Sequence, residues 1–156
     1  MRIRGTSGEV FVELWGPLLF VTWFGDQDVP LVDRFFDEFE RLVIEARAAS
    51  ELLILVTDAL DAKAPGAVVR RRIMERTNGM PPYYREVQVA NYVVLANAMV
   101  RGALTAMSWL SRGPWDTEYV ATPADAIQRA REVLRARGYG TPDELDPASY
   151  RRPSRA

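Results

Sequence analysis

The sequence predicts an α/β domain built on a mixed sheet of about five strands, and three features of the chain carry that prediction. The run Leu52 to Val56 is apolar without alternation and too short for a buried helix, so it reads as a strand covered on both faces. Ahead of it, two strand-like segments are joined by Gly16-Pro17, the signature of a β-hairpin. Behind it, segments with three- and four-residue apolar spacing alternate with short apolar runs, as successive strand-helix-strand units do.

Composition narrows the function. With 156 residues, 48% hydrophobic and 26% charged, the chain fits one domain that folds without staples. A net charge of −1 gives no overall basic field for nucleic acid. The chain has neither cysteine nor histidine, which removes disulfides, thiol nucleophiles, zinc sites built on those residues and imidazole acid/base chemistry. No run approaches a membrane span and residues 1–8 lack the apolar core of a leader, so a cytoplasmic protein without membrane insertion is expected. No metal or other cofactor is expected.

The elements come in the following order. Residues 1–8 are expected to be flexible. In residues 9–15, Val10, Val12 and Leu14 share one face and Glu9, Phe11, Glu13 and Trp15 the other, which describes an edge strand with one wet face. Leu18 to Phe24 returns as the deeper member of the hairpin. Asp28 ahead of Val29-Pro30 is a good N-cap, and Leu31, Val32, Phe35, Phe36, Phe39, Leu42, Val43 and Ala46 make the clearest amphipathic stripe in the chain. After the central strand, Pro65-Gly66 opens a helix through Val68, Val69, Ile73 and Met74, with Arg70, Arg71, Arg72 and Arg76 read as a solvated outer face. The loop Gly79 to Tyr84 is held extended by two prolines and either packs or recognises. Val89 to Ala96 is a third buried strand, and Asn97 caps a helix running to about Ser111 with Met99, Val100, Ala103, Leu104, Met107 and Leu110 inward. Gly113-Pro114 ends it. Trp115 to Val120 is the last strand, and Thr122-Pro123-Ala124-Asp125 begins the last helix as a near variant of the capping box. Gly138 stops that helix. Residues 139–156, with one turn of helix at Pro142 to Leu145, are expected to be loosely held and dispensable, leaving 9–138 as the single domain. If Leu145 or Tyr150 docks instead, the aromatic face of the hairpin is where it belongs.

A hairpin followed by three right-handed crossovers, with parallel inner strands, is the order these elements give. That order, with Leu52-Leu53-Ile54-Leu55-Val56-Thr57-Asp58, Val93 to Ala103 and Tyr119 to Ile127, resembles the STAS fold of anti-sigma-factor antagonists. It more closely resembles the SpoIIAA-like variant related to lipid-binding Sec14-type domains. The resemblance implies a regulatory surface at the carboxyl end of the central strand, where antagonists carry a phosphorylatable serine. Here the matching stretch, Thr57 to Gly66, has no serine. Thr57 is the nearest hydroxyl, and Asp58 and Asp61 would supply fixed negative charge in place of a phosphate.

Three readings of function remain open on the sequence. The first is a non-enzymatic regulatory or scaffolding module that binds another protein or itself as a homo-oligomer. It would use Thr57, Asp58, Asp61 and Lys63 at the strand end, Phe11, Trp15 and Trp23 on the hairpin, and Tyr83 and Tyr84 in the loop. The second is a sensor that binds a small ligand, a nucleotide or a lipid, between sheet and helices. The third is an enzyme using Asp58, Asp61 and Lys63, with Asp58 and either Asp61 or Glu13 as the acid/base pair and Lys63 as the nucleophile. It ranks last, because carboxylates in such loops more often form caps and turns.

Overall fold

In the computed structural model, which describes residues 1–102, 116–139 and 144–155, six strands lie side by side in the order of the sequence. Strands β1 (Arg2–Arg4), β2 (Gly8–Trp15) and β3 (Leu18–Gly25) form an antiparallel meander. Strands β4 (Leu53–Ala62), β5 (Gln88–Val94) and β6 (Thr117–Val120) run parallel to β3. The expected hairpin and parallel series are present, with one strand more than expected. Residues 1–8 are not a flexible lead-in: Arg2–Arg4 pairs with Glu9–Phe11, Ile3 is buried, and the Met1 amino group donates to the Val12 carbonyl at 2.5 Å. This strand satisfies backbone groups that β2, as an edge, would leave open.

The helices divide the sheet into two faces. Helix α1 (Val29–Ala48), α2 (Ala67–Asn78) and the short α3 (Tyr84–Val87) cover one, since parallel strands in simple sequence order send successive right-handed crossovers to the same side. The α1 stripe is buried as its periodicity predicts, from Leu31 and Val32 to Ala46, and Asp28 caps it by accepting from the Leu31 amide at 2.8 Å. Helix α2 is shallower than expected, because only Val69 is buried while Val68 and Met74 are exposed. Charge ties it down instead: Arg72 bonds Asp33 of α1 at 2.7 Å, and Arg76 bonds Asp37 at 2.7 Å. Two of the arginines expected on a solvated face thus join two helices.

Helix α4 (Pro123–Ala136) crosses to the second face. Its start is the predicted capping box, in which the Thr122 Oγ1 accepts from the Asp125 amide and the Asp125 carboxylate accepts from the Thr122 amide, each at 3.1 Å. Ala126, Ile127, Ala130 and Leu134 pack on Ile54, Val56, Tyr92, Val94 and Val120, the β4 to β6 half of that face. The helix expected after β5 is helical at residues 98–102, with Asn97 Oδ1 accepting from the amides of Met99 and Val100 at 3.0 and 3.1 Å, but Met99 and Val100, expected inward, are exposed. Its expected course through Ala103, Leu104, Met107 and Leu110 to Ser111 and the Gly113-Pro114 break lies outside the described residues. So do residues 142 and 143 of the helical turn expected at Pro142 to Leu145.

The β2 to β3 half of the second face is covered by the chain's own end. Residues 144–155 are packed, which corrects the expectation of a loosely held tail. Leu145 is buried against the apolar group around Leu18 and Phe20, with its methyl 3.6 Å from where a Cβ at Gly16 would stand. A 3-10 turn at Pro147–Ser149, capped by Asp146 accepting from the Ala148 amide at 2.9 Å, then turns the chain onto the strands. The tail docks because the hairpin presents large apolar side chains that no described helix covers. Leu145→Ala should therefore lower unfolding free energy by about 2 to 3 kcal/mol, read from urea denaturation. A loss below about 0.5 kcal/mol would show that the tail is not seated in solution.

Candidate functional site

The carboxyl half of β4 departs from regular strand geometry, and that departure builds the site. Thr22 of β3 stands opposite Asp58, yet Phe24 stands opposite Asp61, so β4 spends three residues where β3 spends two. Such a bulge inserts one residue and reverses side-chain parity beyond it. In a regular strand, residues three apart face opposite sides. Here the extra residue brings Asp58 and Asp61 to the same side, the one that carries Phe20, Thr22 and Phe24. Asp58 helps to shape the bulge itself, because its Oδ1 accepts from the Leu60 amide at 3.0 Å.

Asp58 is completely buried, and a carboxylate removed from water needs a cation and donors. Both come from the tail. Arg152 Nε donates to Asp58 Oδ2 at 2.5 Å and Nη2 to Oδ1 at 3.2 Å, a two-pronged clasp, while Nη1 donates to Asp61 Oδ2 at 2.5 Å. The guanidinium also lies over the Phe24 ring, 5.4 Å from its centre. The Asp58 carboxylate, followed by burial acting the other way and then Asp61, holds the Arg152 guanidinium charged well beyond its ordinary range. Two residues earlier, the Tyr150 ring stacks on Phe20 at 4.2 Å between centres and on Trp15 at 6.0 Å.

The Tyr150 hydroxyl and Thr22 Oγ1 are buried without a hydrogen-bond partner among the described residues. They face each other closely enough for Thr22 to act on the phenol, but outside hydrogen-bond geometry. Burial pushes the Tyr150 phenol up to about 12, with Thr22 opposing it, Asp58 and Glu13 adding to it and Arg152 opposing it. Beyond Arg152 the chain stays pinned at the surface: Arg2 Nη2 donates to the Ser154 carbonyl at 3.0 Å, and Arg155 Nη2 donates to the Ser7 carbonyl at 3.3 Å. An open hollow of about 520 Å³ borders Phe24 and Asp61 on one side and Arg152 to Arg155 on the other.

The structure groups the expected site residues differently from the sequence. Thr57, Asp58 and Asp61 lie within β4 and not in a loop after it, because the parallel pairing with β3 continues to Ala62. Thr57 pairs beside Val21 and so belongs to the helix-covered side, apart from the two aspartates. Asp61 does not cap α2, whose N-cap is Gly66. Lys63 is drawn away by Asp26, which its Nζ meets at 2.8 Å. Trp23 is also separated from Trp15, being buried against the edge of Phe35 under α1 at 5.1 Å. Phe11 is partly covered by the Arg2 guanidinium at 5.6 Å. Tyr84 is buried against Phe39, and Tyr83 lies beneath the Arg47 guanidinium at 4.4 Å, so this loop packs onto α1. Asp58, Asp61 and Trp15 remain together, joined by Tyr150, whose docking on the aromatic face of the hairpin is the alternative the sequence leaves open, and by Arg152, which single-residue reasoning passes over. Their one signal in the sequence is an aromatic two positions before an arginine, the spacing at which an extended chain presents both side chains to one surface.

Among the described residues there is no group of three or more carboxylates placed to hold a metal ion, and no helix is long and apolar enough to cross a membrane. No protein-family model matches the chain, and no curated protein matches it in sequence. Among solved structures it is similar to an uncharacterized protein of the DUF3478 family from Shewanella loihica PV-4, described as having a SpoIIAA-like fold. The two share 9% identity with a TM-score of 0.54, over 79% of this chain and 93% of that one. At that identity the likeness concerns the fold alone. The chain has a mixed α/β architecture of the STAS type in its SpoIIAA-like form, as its order of elements implied.

Proposed function

We propose that this chain is a non-enzymatic interaction module of regulatory or scaffolding type, whose docking surface is the carboxyl end of β4, with Asp61 at the surface and Asp58 beneath it. The observation that carries the reading is the bulge that turns both aspartates to one side, where they share a single guanidinium. Two carboxylates so placed form a fixed charge-recognition element. They need no phosphoryl transfer to become negative, which suits a surface from which the serine is missing.

The distances give an acid/base cluster of Asp58, Asp61 and Lys63 no support, because the lysine is bonded to Asp26 and both carboxylates are bonded to arginine. A small-ligand sensor draws on the hollow beside Phe24 and Asp61, and a nucleotide or lipid that raises the melting temperature without any protein partner would favour it over docking. The partner in our reading is another protein or a second copy of this chain.

The test uses Asp61, whose side chain is 55% exposed and therefore contributes under about 1 kcal/mol to stability. Asp61→Asn should melt within a few degrees of the parent. Capture of a partner protein by the immobilised chain should fall several-fold at low salt, with a smaller difference at high salt. Identical capture of every bound protein by parent and variant would contradict the reading.

A further inference from the structure

Residues 150–155 lie on the sheet without joining it. They contain no regular secondary structure, and no strand pairs with them. Among the described residues, their backbone is bonded to the β1 to β3 end of the sheet at one point, where the Arg2 side chain donates to the Ser154 carbonyl. The anchoring is done by side chains. Tyr150 and Arg152 point into the sheet while Arg151 between them is exposed, the alternation of an extended peptide in a groove. The contacts join residues 94 and 91 positions apart in sequence, so nothing local forces them to form.

The surface beneath the segment has a defined chemistry of its own. The floor is aromatic at Trp15 and Phe20. About two residues of extended chain further on stands a fully buried carboxylate, Asp58, with a second, Asp61, at the rim. Thr22 Oγ1 is fully buried and has no partner among the described residues. Emptied of the tail, this surface would lose the cation that pairs with Asp58 and the ring that covers Trp15 and Phe20. It is built for a ligand that brings a ring and a guanidinium at that spacing.

We propose that this groove is a binding site for an extended peptide segment carrying an aromatic residue two positions before an arginine, and that Tyr150 and Arg152 occupy it in cis until such a segment of a partner protein displaces them. The inference rests on the docking reading and names the partner's chemistry. A tethered occupant competes at an effective concentration in the millimolar range, so the tail sets a threshold that an incoming segment must exceed. The apparent affinity for a partner is reduced by the fraction of molecules whose groove is open.

The probe is a fluorescein-labelled synthetic peptide with the sequence of residues 147–155, titrated against full-length protein by fluorescence anisotropy. The double variant Tyr150→Ala/Arg152→Ala, in which the tail is present but cannot fill the groove, should bind it about ten-fold or more tightly than the parent chain. Binding should be lost when the peptide carries Arg152→Ala, and lost when the chain also carries Asp58→Asn. Failure of the intact peptide to bind the opened chain, or equal binding of the peptide lacking the arginine, would overturn the proposal. Should the double variant not fold, the parent chain decides. Hydrogen exchange over residues 144–155 should rise when excess peptide is added, and unchanged exchange would overturn the proposal. Partner capture that depends on Asp61, with no peptide binding, would sink this inference and leave the docking reading standing. Peptide binding with no Asp61-dependent capture would contradict the docking reading and leave a groove that takes the chain's own tail alone, which overturns the partner half of this proposal.

Discussion

A carboxylate with no exposure to water governs how this chain is put together. Leaving Asp58 ionised inside the protein without a counter-charge would cost several kcal/mol, more than most single contacts return. The fold meets that demand from the far end of the sequence, by drawing Arg152 across β3 until its guanidinium clasps the carboxylate in two places. Once Arg152 is fixed, Tyr150 falls on the Phe20 and Trp15 rings and Leu145 fills the space beside the hairpin turn. The tail is thereby held both by one charge and by apolar contact.

That arrangement solves a problem set by topology. Parallel strands in sequence order place their crossover helices on one side, so the opposite side depends on the chain beyond the last strand. Helix α4 is long enough to cover β4 to β6, and the twelve described residues of the tail cover the β2 to β3 half. The same face therefore has one half closed by a helix with a full capping box, and a half closed by Leu145, Tyr150 and Arg152 of the tail. Other charged contacts, such as Arg72 and Arg76 with Asp33 and Asp37, join helix to helix at the surface. Among the described ion pairs, the Asp58 clasp is the one with a fully buried member.

Much of the fold was legible because the local signals agree with the global arrangement. The stripe of α1, the Asp28 and Asn97 caps, the Thr122-Asp125 box and the order of strands all come from residue types at fixed spacing. Strand β1 was less legible, because a single apolar residue between two arginines carries no periodicity that a short basic stretch would lack. The site was half legible. Asp58 and Asp61 stood out as the charged end of an apolar strand, but spacing alone places them on opposite faces of a strand, and only the pairing with β3 reveals the bulge that unites them. Trp15 and Trp23 lie eight positions apart across a turn, where strand parity restarts from the hairpin register, so spacing along the chain does not show that they face opposite sides. Arg152 could not be read at all from its neighbours, since a contact across 94 residues leaves no trace in local composition.

The central claim is that Asp58 and Arg152 are energetically one unit, and a double-mutant cycle on folding stability measures that directly. Asp58→Asn and Arg152→Gln, alone and together, would be compared by urea unfolding at neutral pH. Each single change should cost about 3 kcal/mol, the double change should cost little more than either, and the coupling should exceed about 2 kcal/mol. Additivity within about 0.5 kcal/mol would mean that the two residues do not meet in solution, and the closed groove would have to be abandoned.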